Sequence, residues 1–431
     1  MGELACLGAM ATERDAGRIA VEIPHRDLGD TPMNLLMVNP YPGQPGGILT
    51  DRITRGLKEQ GVTVAQARIP FELLNQQPHI ETFCEMLEWM IGRVKPDLVL
   101  SMQWSVRALF QKAGRTFPAL PVYVYVLDAN PVENWLTHPL DRVVAYSEEF
   151  ASYRRKVHPT GPILTLWPPA DPDPIVGVWS KYRSDVSFVG GVNTYSREYR
   201  NEVLERWDRV QHGVRGYVNE MIDLCVAGMV TCNFYDLFEN YPPPFGDFAV
   251  NNEIEPGITP IEKKWNVWGL IRSAASAEYR LRILEAASVF DLKVWGGNFA
   301  ELGASERLQS KCTLESVPRF YAGDVYVSAK INLNCQGFAF KHAPTMRFMD
   351  IPAASGFEIC EKSTGLVEAF PSDVAMAYYR SPEDLVKRIR YWLSRDKERR
   401  DLITVGRRLV VTEHSYRQWV RKFMAYVEQT K

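Results

Sequence analysis

The chain lacks most of the signatures that would fix a function at once. Its seven cysteines (Cys6, Cys84, Cys225, Cys232, Cys312, Cys335 and Cys360) include no CxxC pair. Neither a zinc site nor a thioredoxin-like redox site is therefore indicated. Sparse, odd-numbered thiols fit a reducing compartment, and a cytoplasmic location is the expectation. No apolar run reaches the length of a membrane span. The opening MGELACLGAMATERD has no basic start followed by a long apolar core, which argues against a signal peptide. No GKS or GKT follows a glycine-rich loop, which removes the Walker A fingerprint, and no GxGxxG marks a dinucleotide site. Charge of one sign is also missing. With 50 Lys and Arg against 52 Asp and Glu, the net charge is −2, and no global attraction to nucleic acid or membrane follows. One local imbalance remains: Arg380 to Lys431 holds 14 Lys and Arg against 7 Asp and Glu. That stretch is either a solvated helical face or a phosphate- or partner-facing surface.

What is present is a rhythm. Buried-strand candidates (Met33–Asn39, Val62–Ile69, Asp97–Ser101, Val122–Leu127, Arg142–Ser147, Ile163–Leu166) alternate with helical segments. This order predicts an α/β fold with a parallel sheet covered on both faces. The proline-rich WPPADPDP (Trp167–Pro174) breaks it, and a second α/β series starts at Asp185–Val189. At 431 residues two domains are expected. The division reads as a weakly structured leader over 1–31, a first Rossmann-like domain over 32–170 and a second over 171–410. The second carries an irregular insertion at about 211–275, and a terminal helix over 411–431 crosses back to the first domain. Helices are expected at Ile48–Gln60, Ala277–Phe290 and Thr345–Ala354, and a strand over Val325–Asn334.

Ligands of open α/β sheets bind beyond the C-terminal strand ends. Four segments stand there. GQPGG (Gly43–Gly47) precedes the first helix, where Gly46 and Gly47 offer either a phosphate- or acceptor-binding loop or a plain strand-to-helix turn. FVGGVNTYSR (Phe188–Arg197) repeats that form, with Gly190, Gly191 and Arg197 as diphosphate candidates against a turn and a solvated arginine. SAKINLNCQGFAFKHAPTMRFMDIPAASG (Ser328–Gly356) carries Lys330, Lys341, His342, Arg347 and Asp350. Arg347 suits a diphosphate and Asp350 a pair of vicinal hydroxyls, although an ordinary intrahelical ion pair would use the same spacing. Asp128 in LDAN ends an apolar strand, as a base or as an Asx turn. The DPD of Asp171–Asp173 spells a metal-binding DxD. Its place in a proline-rich connector argues against that role, and no metal or other cofactor is expected. His414 and Trp295 read as structural.

Several segments together resemble one family. YVSAKINLN, RFMDIPAASG, HSYRQWVRKF, SDVSFVGG…SREYR and PGQPGGILTDRITRGLKEQGVTV are similar, in order, to the CgeB-like (spore-maturation-protein-like) glycosyltransferases. These are a branch of the group 1 glycosyltransferases with the two-domain GT-B fold. The resemblance implies a metal-independent transfer of a sugar from a nucleotide-diphosphate-sugar donor. The second domain would hold the donor, with Arg347 on the diphosphate and Asp350 on the ribose. The acceptor, whether glycan, protein, lipid or small metabolite, stays open, and no nucleic-acid partner is implied. An inverting route would need a base, for which Asp128 is the candidate, and His342 is the second catalytic candidate. Asp350 stands where the family usually has glutamate, and Pro352 is expected to disturb the first helical turn. The Asp350 departure keeps a catalytically inactive sugar-nucleotide- or glycan-binding scaffold as an alternative, and a sugar-nucleotide epimerase of the same fold is another.

Overall fold

The computed structural model describes residues 20–22, 33–39, 45–68, 77–102, 105–126, 138–157, 159–191, 197–228, 237, 240–245, 260–297, 299–313, 315, 317, 321–335 and 343–430. Two sheets organise them. The first has the order β1-β3-β2-β4-β5-β6-β7, built from β1 (Ala20–Glu22), β2 (Asn34–Asn39), β3 (Thr63–Arg68), β4 (Leu98–Met102), β5 (Val122–Val126), β6 (Arg142–Ala145) and β7 (Ile163–Thr165). All pairs are parallel except β1 with β3, where Ala20 faces Arg68. The second has the order β10-β9-β8-β11-β12-β13 and is wholly parallel. Its strands are β8 (Ser184–Val189), β9 (Leu292–Trp295), β10 (Cys312–Thr313), β11 (Ala329–Asn334), β12 (Glu358–Glu361) and β13 (Ala377–Tyr379). This is the GT-B architecture of two Rossmann-like sheets.

Helices fill the crossovers. In the first domain these are α1 (Pro45–Glu59), α2 (Gln77–Val94), α3 (Val106–Lys112) and α4 (Glu148–Val157). In the second they are α5 (Arg197–Val210), α6 (Val214–Val226), α7 (Pro260–Ala287), α8 (Glu306–Gln309), α9 (Ala322–Ser328), α10 (Met346–Ala353), α11 (Thr364–Ala369), α12 (Pro382–Leu393) and α13 (Asp396–Glu413). The final helix, α14 (Tyr416–Thr430), lays Trp419, Val420, Phe423, Tyr426 and Val427 into the core formed by Leu35, Met37, Leu49, Ile53 and Tyr123 of the first domain. Strand runs such as VYVYV (β5) are buried on both faces, as parallel sheets under helices require.

Four sequence expectations change. The leader is not wholly without regular structure, because Ala20–Glu22 adds an edge strand. The strand expected over Val325–Asn334 is two elements: Ala322–Ser328 is helical and the strand begins at Ala329. β-prone Val325, Tyr326 and Val327 are helical because they pack α9 on the sheet, with Val325 and Tyr326 buried. Within the expected insertion, α6 lies against the long α7, and both enter the core with Val186 and Phe188. Finally, Pro352 leaves the first turn of α10 intact. It sits in the last turn, buried, and Thr345 caps the N-terminus by accepting from Phe348 N at 3.4 Å.

Candidate active site

In each sheet the first strand of its parallel series is flanked by neighbours reached in opposite directions. β2 lies between β3 and β4, and β8 lies between β9 and β11. These are the switch points where doubly wound sheets open a crevice. At the first, Gly46 and Gly47 are not in a preceding loop but in the first turn of α1, which starts at Pro45. Gly43 lies outside the described residues.

The second switch point is more developed. β8 ends in Gly190 and Gly191, and β9 ends in Gly296 and Gly297. The two turns touch: a Cβ on Gly191 would lie 3.5 Å from Gly297 Cα. Gly190 has φ +151°, a region that side chains avoid, and a Cβ there would come within 3.2 Å of Arg347 Nη2. Glycine is thus what lets the Arg347 guanidinium lie on the turn. Arg347 reaches it from the first turn of α10, over the ring of Phe188 (5.4 Å).

A second guanidinium meets it there. Arg280, on α7, also stands over Phe188 (5.7 Å) and donates from Nη1 to Gly191 O. Burial, and then the charge of Arg347, lowers its pKa to about 10, which still leaves it cationic near neutrality. Arg347 Nη1 and Arg280 Nε are buried without a hydrogen-bond partner among the described residues. One carboxyl that feels the charge of Arg347 is Glu358, buried on β12, where Asn334 Nδ2 donates to its Oε1 at 2.8 Å. Burial pushes that carboxyl well above the carboxylate range, against the pull of Asn334 and Arg347. Two adjacent arginines with unused donors, above a glycine turn, form a site built for an anion. Nothing in AEYRLRILEAA marks Arg280 as more than a helix residue, and the sequence reading passed over it.

Asp350 lies one turn after Arg347, as the spacing required. Its Oδ1 does not face an open crevice but pairs with Arg52 Nη1 of α1 at 2.7 Å, across the two domains. Arg52 also donates to Pro169 O at 3.2 Å. Lys330 is a correction. It stands near the N-terminal end of β11, paired with Asp185 at 2.8 Å and more than half exposed, about 16 Å of strand away from the glycine turn. Arg197 opens α5 after the glycine turn, and its side chain lies outside the described residues. So do Asp128, Lys341 and His342.

The DPD carboxylates serve the domain junction. Asp171 pairs with Arg55 of α1 at 3.3 Å and Asp173 with Arg417 of α14 at 3.0 Å, both arginines lying over Tyr416. Among the described residues no three His, Cys, Asp or Glu side chains gather as a metal centre would need. Nor is any described helix long and apolar enough to cross a membrane. His414 is packed against Trp167 (5.2 Å) and Phe370 (5.3 Å), and burial lowers its pKa to about 4.

Residues 276–425 match the glycosyl transferase-like family model. The match contains Arg280, Arg347, Asp350 and His414. The fold is similar to that of sucrose-phosphate synthase from Thermosynechococcus elongatus (TM-score 0.50, 12% identity, 92% of this chain and 99% of that one). A glycosyltransferase from Rickettsia africae aligns with TM-score 0.46 at 11% identity over 93% of this chain and 99% of its own. Anabaena HepE, solved with UDP and glucose, aligns with TM-score 0.45 at 11% identity over 93% and 100%. No curated protein sequence matches the chain.

Proposed function

We propose that this protein is a glycosyltransferase of the CgeB-like branch, moving a sugar from a nucleoside-diphosphate-sugar donor to an acceptor. The observation that carries the reading is the Arg280–Arg347 pair at the Gly190 turn. A diphosphate is the anion that fits two guanidiniums side by side, since each can grip phosphate oxygens through paired N–H donors. Glycosyl transfer runs through an oxocarbenium-like state while the nucleoside diphosphate departs. The growing negative charge on that leaving group is what the two arginines stabilise, in a site already shaped for it. Fixed cations replace the metal that other transferases use, so the reaction runs without one.

Asp350 takes the ribose hydroxyls. To do so it gives up at least part of its bond to Arg52, so donor entry and the domain junction are coupled. Asp128 is the proposed base if the reaction inverts, with His342 and Lys341 at the donor sugar and Gly46 and Gly47 on the acceptor side.

The test is release of nucleoside diphosphate from a panel of common sugar nucleotides, with and without candidate acceptors. Arg347→Ala and Arg280→Ala should each lower kcat/KM by roughly a hundredfold, the scale of one lost charge-assisted contact to the leaving group. EDTA should leave the rate unchanged. Full activity in both arginine variants would refute the site, and complete loss in EDTA restored by manganese would refute the metal-free route.

A further inference from the structure

A cavity of about 580 Å³ lies away from the arginine pair. It opens where the C-terminal ends of β6 and β7 meet α11 and the junction of α13 with α14. Glu148, which starts α4 just after β6, lines one side, and Glu368 of α11 lines another. Trp167 and His414 form an aromatic wall, stacked at 5.2 Å with planes 21° apart. Glu413 and Lys422 complete the polar rim. The volume is that of a small-molecule site.

The chemistry of the lining selects a class of ligand. An indole face suits the C–H face of a sugar ring, and carboxylates accept from its hydroxyls. Three carboxylates stand against one lysine. Glu148 is held by Arg155 and by Thr165 Oγ1 at 2.8 Å. Glu368 is exposed on α11, and Lys422 donates to the backbone carbonyl of Glu413 at 3.1 Å and not to its carboxylate. The rim therefore favours an ammonium over a carboxylate on the ring. We propose that this cavity is a second carbohydrate site, holding one sugar ring against Trp167 and preferring amino sugars to uronic acids. It is separate from the donor crevice, and nothing in its chemistry depends on the donor assignment.

The two sites are connected by packing. Phe370 lies 6.4 Å from Trp167 and 5.3 Å from His414 on one side, and 5.0 Å from Phe348 on the other. Phe348 is the α10 residue next to Arg347. A ring in the cavity thus bears, through one aromatic side chain, on the helix that carries Arg347 and Asp350.

Saturation-transfer NMR on the full chain tests this, with glucosamine, glucose and glucuronate as probes at millimolar concentration. Transfer to glucosamine and glucose is expected, with glucosamine bound about threefold to tenfold more tightly than glucuronate, the scale of one or two nearby solvated charges. Trp167→Leu should abolish transfer. Glu368→Gln, at an exposed position where the fold is insensitive, should narrow the gap between glucosamine and glucuronate even if the tryptophan variant does not fold. Arg347→Ala must leave transfer intact, because loss there would put the probe in the donor crevice and overturn the proposal. Absence of transfer from all three probes, or glucuronate bound as well as glucosamine, would overturn it too.

Discussion

Replacing Arg52 by alanine isolates the contact that ties the proposed ribose-binding carboxylate to the opposite domain. Arg52 Nη1 and Asp350 Oδ1 are 2.7 Å apart, and their side chains are only 13% and 15% exposed. Screening by water and salt is therefore weak compared with a surface pair. A hydrogen bond between charged groups contributes about 1.5–3 kcal/mol net. Removing Asp350 as well, as Asp350→Asn, should recover part of the loss, with a coupling of about 1–3 kcal/mol in denaturant unfolding. The ligand side has the opposite sign. If ribose must displace Arg52, the free protein resists nucleotide binding by much of that amount. Arg52→Ala should then tighten the binding of a nucleoside diphosphate by roughly tenfold or more, at about 1.4 kcal/mol per factor of ten. Calorimetric titration of wild type and variant with UDP and GDP decides the matter. Unchanged or weaker affinity in Arg52→Ala, with the Arg347 contact intact, would show that Asp350 is an interdomain tie and not a ligand group.

Other outcomes follow from the same geometry. Gly190→Ala places a methyl 3.2 Å from the Arg347 guanidinium at φ +151°, so nucleotide affinity should fall at least tenfold with a stability loss of about 1–3 kcal/mol; normal binding would remove the glycine from the site. Phe423→Ala should cost about 3–5 kcal/mol, since Phe423 is fully buried and packs edge-on to Tyr123 at 5.4 Å, and an unfolding midpoint close to wild type would show that α14 adds little to the first domain. Two buried groups should oppose each other in acid. Asp141, raised by burial from 3.8 to about 6, binds its proton more tightly in the folded state, so stability is gained as pH falls through 6, by about 3 kcal/mol at most. His414, lowered from 6.5 to about 4, behaves oppositely, and a similar amount is lost as pH falls from 6.5 towards 4. Asp141→Asn should therefore make thermal stability fall more steeply between pH 6.5 and 4 than in wild type, and an equal slope would contradict the Asp141 assignment.

Particular residues show how far the sequence carried. Apolar runs located β2 to within one residue, because a strand covered on both faces needs a continuous hydrophobic stretch. The same logic found β8 and the glycine turn after it. It found only the C-terminal part of α7, as Ala277–Phe290, because the 28-residue helix carries apolar side chains around much of its surface where core encloses it on several sides. It missed β12 and β13, which are four and three residues long and too short for a pattern. Lys330 could be read either as cleft-facing or as reaching out from the sheet edge, and only its place near the N-terminal end of β11, paired with Asp185, sets it apart from the glycine turn.

The amino-acid sequence by itself determined the two α/β halves, the connector between them, the Gly190 turn and the helix that puts Arg347 and Asp350 on one face. Each of these is a local matter of spacing, propensity and burial. Only the tertiary structure decided what those residues meet. Arg280 reaches the turn from a helix 89 residues away in sequence from Gly191, and Arg52 reaches Asp350 across 298 residues. Long arginine side chains look alike in any exposed helix. Their roles come from the partners that chain crossing brings to them, and no periodicity within either helix records those partners.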